Sequence, residues 1–140
     1  MGQQQLLLII LGVIIVGIAV AVGITMFQDN AVDQNRAAVI ADLTTLAAKA
    51  QQYYAKPTTL GGGSNSFVGL KKDPDAAGIA SLASPAFTTT NPNGTYTITV
   101  AGTAASVTIH GVGKTALSDG TFPTYDMLVQ PSTQTPTKLN

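Results

Sequence analysis

A chain of 140 residues with seven Lys plus Arg and seven acids, all Asp, has no net charge and so no electrostatic footprint for nucleic acid. It has no cysteine, which excludes disulfide staples, thiol catalysis and zinc–thiolate sites. Charged residues make up only 10% of it, a low share for a solitary soluble domain and one that suits a surface packed against copies of itself.

The first predicted element is apolar. Leu6 to Ile24 carries no charge and no side chain more polar than glycine, and the first charged side chain is Asp29. Nineteen helical residues span roughly 28 Å, close to the roughly 30 Å hydrocarbon core of a bilayer. The run is longer than the apolar part of a secretory signal, and nothing basic precedes it. Lys or Arg ordinarily orients such a segment. Met1 to Gln5 supply neither, so a basic leader removed ahead of Met1 is expected.

The next segment, "AVDQNRAAVIADLTTLAAKAQQYYAK", holds no Gly or Pro from Ala31 to Lys56 and is rich in good helix formers. Val32, Val39, Leu46 and Tyr53 recur every seven residues, with Leu43 and Ala50 between them, which places one apolar stripe on a helix. Pro57 and Gly61-Gly62-Gly63 stop it. One continuous helix from about Leu6 to Lys56 would be roughly 75 Å long, so its second half stands clear of any bilayer. That half needs a cover for its stripe.

The C-terminal part supplies the cover. Asn93-Gly94 marks a turn, and Tyr96, Ile98 and Val100 then alternate with Thr95, Thr97 and Thr99, the period of a half-buried strand. Val107 and Ile109 repeat the pattern, and Thr124 to Gln130 is a third strand. Residues 58–92 read as loop with one short helix near Ala76 to Ala83, and the Pro/Thr-rich tail as extended chain. The expected fold class is α+β: a long N-terminal helix, apolar over 1–27 and amphipathic over 28–56, packed against a small antiparallel sheet of three or four strands within 57–140. Residues 28–140 form one globular domain.

Chemistry-bearing motifs are sparse. His110 is the only histidine and lies among polar strand residues, which does not make a metal site. Asp73 and Asp75 sit beside Lys71 and Lys72, as in a solvated loop, and a calcium role is the weaker reading. No phosphate-binding G-x-x-x-x-G-K-[ST] loop occurs. Asn93-Gly94-Thr95 is a formal glycosylation sequon, although Asn-Gly is also the turn the strand needs. Thr88-Thr89-Thr90 permits O-glycans by composition alone. Neither an enzyme nor a cofactor is expected.

An apolar half-helix running into an amphipathic half and then a small antiparallel sheet resembles the type IV pilin family, most specifically over residues 1–27. The resemblance implies a prepilin cut by a prepilin peptidase just before the apolar segment. Its mature first residue, here Met1, would be methylated. The subunit would wait in the cytoplasmic membrane as a single span, and pilus assembly machinery would build it into an extracellular helical filament of identical subunits. The helix surface of Gln5, Leu6, Leu7, Ile10, Gly12, Gly17 and Gly23 would then carry assembly. A cut after Gly2 is the less favoured alternative.

The sequence departs from the family in three places. Gln5 stands where most pilins carry a glutamate, no proline interrupts the apolar helix, and no cysteine pair closes the C-terminal loop. Without that proline an unbroken helix is favoured, and any break is expected between Gly17 and Gly23. Two other readings stay open: a secretion pseudopilin forming a short periplasmic filament, and a monomeric anchored domain.

Overall fold

The computed structural model describes residues 1–70, 90–100 and 102–140. One helix, α1 (Gly2–Ala55), leads through a single 3-10 turn (Thr58–Leu60) to four strands: β1 (Gly94–Val100), β2 (Val107–Gly113), β3 (Thr124–Val129) and β4 (Gln134–Lys138). The strands form one antiparallel sheet in chain order. The fold is α+β, a long N-terminal helix against a four-stranded antiparallel sheet. The short helix expected near Ala76 to Ala83 lies outside the described residues.

At 54 residues, α1 is about 80 Å long and starts four residues earlier than the apolar run. Its end is held by the glycine segment. The N–H groups of Lys56, Gly63 and Asn65 donate to the carbonyls of Gln52, Tyr53 and Tyr54, which a helix terminus otherwise leaves unpaired. Gly61 in this loop takes a left-handed φ of 78°, which costs glycine little.

The amphipathic half of α1 buries Val32, Val39, Leu43, Leu46, Ala47 and Ala50, the expected stripe with Ala47 added. Tyr53 and Tyr54 pack half-buried at its far end. The sheet answers with Tyr96, Ile98, Val107, Ile109, Tyr125, Met127 and Val129, alternate residues of three strands that turn one face to the helix. Phe67 and Leu70, in a stretch read as plain loop, complete the core. The Phe67 ring lies 4.8 Å from that of Tyr54, tilted by 34°. A bulge between Ile98 and Val100 interrupts the β1–β2 register.

β4 extends the sheet into the tail that was expected only to be extended. Its residues are mostly exposed, and Pro136 lies opposite Met127 on an edge strand, where a missing N–H can be tolerated. The turn before it is closed by Gln130 N–H donating to the Thr133 carbonyl.

Glycine lets the helix come close at one end of the sheet. Gly111 lies between Tyr96 and Tyr125 in the strand register, directly under Leu43. A Cβ at Gly111 would stand 3.0–3.2 Å from the Leu43 side-chain carbons. Both residues are buried, so neither can swing aside. Gly113, one step further down β2, meets Asn35 of the helix, and a Cβ there would collide with the Asn35 Oδ1 atom.

Gly111→Ala is expected to destabilise the fold. Overpacking costs about 1–3 kcal/mol, more than the roughly 0.4–1 kcal/mol returned by stiffening the unfolded chain. Leu43→Ala alone should cost about 2–5 kcal/mol. Because the two substitutions share one space, the double variant should lose less than the sum. Thermal unfolding of the full chain in mild detergent, followed by near-ultraviolet tyrosine circular dichroism, checks this. Simple additivity would show that Leu43 does not define the gap over Gly111.

Candidate assembly surface

Among the described residues, the first half of α1 touches nothing in the head, the unit formed by its second half and the sheet. Leu6 to Phe27 contains sixteen large apolar side chains, and every one is exposed, from 48% at Val22 to 83% at Phe27. No window of this kind elsewhere in the described residues is long and apolar enough to cross a membrane. Burying such side chains contributes about 1.5–3 kcal/mol each relative to water, so the whole surface is worth tens of kcal/mol. That is several times the stability of a typical domain. By length and composition the segment could anchor the chain in a membrane.

Its polar atoms are already settled. Thr25 carries the only hydroxyl between Leu6 and Phe27, and it donates back to the Val22 carbonyl at 2.8 Å. The backbone is helical throughout, so no N–H or C=O in this stretch looks for an external partner. Apart from that hydroxyl and the Met26 sulfur, the segment presents only carbon to its surroundings.

The assembly residues expected from the sequence all lie on this projecting half. Leu6, Leu7 and Ile10 are 58–68% exposed, and a Cβ added at Gly12, Gly17 or Gly23 would meet no atom within 4 Å. At about 100° per residue, Gln5, Gly12, Ala19 and Gly23 share one face, while Gly17 is turned roughly 140° from Gly12. The three glycines thus open two faces of the helix to close approach. Gln5 and Met1 stand exposed at the free end.

The other half of α1 is clamped to the sheet by three polar side chains that periodicity did not mark. Asn35 donates its amide to the Asn93 carbonyl at 2.7 Å and accepts from the Thr115 N–H at 3.4 Å. Asp42 Oδ2 accepts from the Asn93 amide, the Asn91 amide and the Tyr96 hydroxyl at 2.9, 2.8 and 2.7 Å. Gln51 donates to the Gln130 carbonyl and accepts from the Gln134 amide, reaching both sides of the β3–β4 turn. The side chains fall along the helix from its entry into the head to near its end.

Partial burial works against the Asp42 charge, but the hydrogen bonds from Asn93, Asn91 and Tyr96 outweigh it and hold the carboxyl below its ordinary value. Burial, and then the Asp42 carboxylate itself, push the Tyr96 hydroxyl up, so it stays protonated and donating. The nitrogen of Asn93 that would carry a glycan is half-buried and donates to Asp42. Thr89, with Asp73 and Asp75, lies outside the described residues.

His110 faces Asp126 across the β2–β3 register, with its Nδ1 hydrogen-bonded to Asp126 Oδ1. Among the described residues no group of three His, Cys, Asp or Glu is placed to hold a metal. The pair reads as a cross-strand contact on the outer face of the sheet. The chain matches no known protein-family model, no curated protein sequence and no solved structure.

Removing the Asp42 carboxylate should loosen the head from the helix. Asp42→Ala strands three donors and is expected to cost about 1–3 kcal/mol at neutral pH, since the site is only partly buried. Because the folded carboxyl titrates below its unfolded value of 3.8, its stabilisation is present above that pH and is lost as pH falls through the folded value. The melting-temperature gap between native chain and Asp42→Ala should therefore be widest near neutrality and narrow below about pH 4. An unchanging gap from pH 7 down to pH 3 would show that the charge does not hold the network.

Proposed function

We propose that this chain is a structural subunit, a pilin, that polymerises through its N-terminal helix into an extracellular type IV pilus-like filament. The observation that carries the reading is the projecting half of α1: sixteen large apolar side chains, all exposed, on a rigid extension of the helix that anchors the head. A monomer anchored in a membrane needs an apolar span too. The reading adds that the same carbon surface serves twice, first in lipid and then against identical helices.

In this proposal Met1 is the first residue of the mature subunit, released by a prepilin peptidase and methylated. The subunit waits in the cytoplasmic membrane, and assembly machinery extracts it. Moving from lipid to a helical core brings little hydrophobic gain, because lipid tails are as apolar as leucine. Close packing at Gly12, Gly17, Ala19 and Gly23, contacts between heads, and work done by the machinery favour the filament instead. Low overall charge suits heads packed side by side.

A buried N-terminus needs polar partners. No acid precedes Asp29, so a carboxylate from the same region of a neighbour is not at hand. Gln3, Gln4 and Gln5 each carry an amide able to donate and accept. In the proposed core these amides satisfy the Met1 amine and the first unpaired N–H groups of neighbouring helices.

Shearing cells and imaging the released material by electron microscopy tests the reading. Thin filaments containing this chain are expected, and they should survive a thiol reductant, since no cysteine is present. Gln5→Glu should assemble, whereas Gln5→Leu, at equal subunit levels, should leave few filaments. Full assembly of the leucine variant would sink the amide role. A chain found only as monomer in the membrane fraction would sink the filament.

A further inference from the structure

We infer that the β2–β3 connection, residues 114–123, is a foot that rests in the lipid headgroup layer and sets the head against the bilayer before assembly. The inference rests on the membrane-held stage of the proposed function and adds a second membrane contact to it.

The connection is a built loop that runs down the helix. Gly113 N–H donates to the Pro123 carbonyl, Leu117 N–H to the Thr121 carbonyl, and Gly120 N–H to the Leu117 carbonyl. Asp119 accepts from the backbone and hydroxyl of Thr121, bonds that hold its carboxyl below the ordinary value. Thr115 N–H is bound by Asn35 of the helix. From there Thr115, Ala116, Leu117 and Ser118 border a cleft with Gln28 and Ala31, and Leu117 and Ser118 border a second cleft with Asp29 and Val32.

That placement fixes the depth of the loop. Gln28 to Val32 occupy roughly the first 2–8 Å of helix beyond Phe27. The headgroup layer on each side of a bilayer is about 5–7 Å thick. With Leu6 to Phe27 in hydrocarbon, Ala116 and Leu117 therefore stand at the level of the headgroups.

The chemistry of the loop suits that level. Phe122 and Leu139 are 44% and 53% exposed, and both flank the start of β3: Thr124 donates to the Phe122 carbonyl and accepts from Leu139 N–H. They lie at the end of the head nearest the span. Exposed aromatic and aliphatic side chains beside a span are characteristic of the membrane–water interface. Asp29, Asp33 and Asp119 share this zone with Arg36, Lys114 and Lys138, so no positive field selects acidic lipid. The partner is a phospholipid surface as such, met through apolar contact, and neutral phosphatidylcholine suffices.

The chain contains no tryptophan, so one introduced indole reports alone. The full chain is reconstituted in phosphatidylcholine vesicles as four variants: Phe122→Trp, Ala116→Trp, Leu60→Trp at the far end of the head, and Ile15→Trp inside the span. Both foot variants are expected to emit to the blue of Leu60→Trp and to be quenched by lipid bearing a nitroxide near its headgroup. Leu60→Trp should instead be quenched by acrylamide in the water. If Ile15→Trp is quenched by lipid bearing a nitroxide deep in its acyl chain while either foot variant behaves like Leu60→Trp, the foot is overturned and the span stands. If Ile15→Trp escapes that deep quencher, the span fails and the foot fails with it.

Discussion

A carbon surface tens of kcal/mol too costly to leave in water governs this molecule. Leu6 to Phe27 is a complete apolar cylinder with its backbone bonds and its single hydroxyl satisfied internally. Nothing in the described head folds back over it. The rest of the chain can be understood as equipment for carrying that cylinder: a rigid continuation of the same helix, and a head fastened to the continuation alone.

The fastening runs from where the helix enters the head to beyond the middle of its packed half. Gly111 and Gly113 remove side chains from the sheet at that end, so Leu43 and Asn35 settle almost onto the strand backbone. Asp42 then draws Asn91, Asn93 and Tyr96 onto a single carboxylate oxygen. Burial of Val39, Leu43 and Leu46 gives the attraction, and the polar contacts fix the axial position of the helix. A head that could slide along α1 would blur the relation between the apolar half and the rest of the subunit. The proposed polymer and the proposed foot on the lipid surface both need that relation to be fixed.

Much of this was legible in the residues. The seven-residue recurrence from Val32 to Tyr53 located the buried stripe, and the alternation at Tyr96–Ile98 and Val107–Ile109 located two strands with their inward faces. Those patterns are strong because half-burial imposes a period. β4 escaped because "QTPTK" is an exposed edge strand, with no buried face to write a pattern into it. Phe67 and Leu70 escaped for a related reason: they enter the core from a loop, where burial follows no period. Asn35, Asp42 and Gln51 carried no signal of their own, since a polar residue facing a strand end cannot be told from one facing water without the fold. The two strand glycines carried a faint signal, because glycine inside a strand often marks a close backbone approach.

The central claim is that the surface of Leu6 to Phe27 ends up covered by the same surface of other copies. A helical reconstruction of sheared filaments by electron cryomicroscopy at side-chain resolution tests it most directly. The account predicts a dry central bundle in which Leu6 to Phe27 of each subunit is enclosed by that segment from its neighbours, with the heads outside. A filament in which this segment faces solvent, or is enclosed by a different protein, would contradict it.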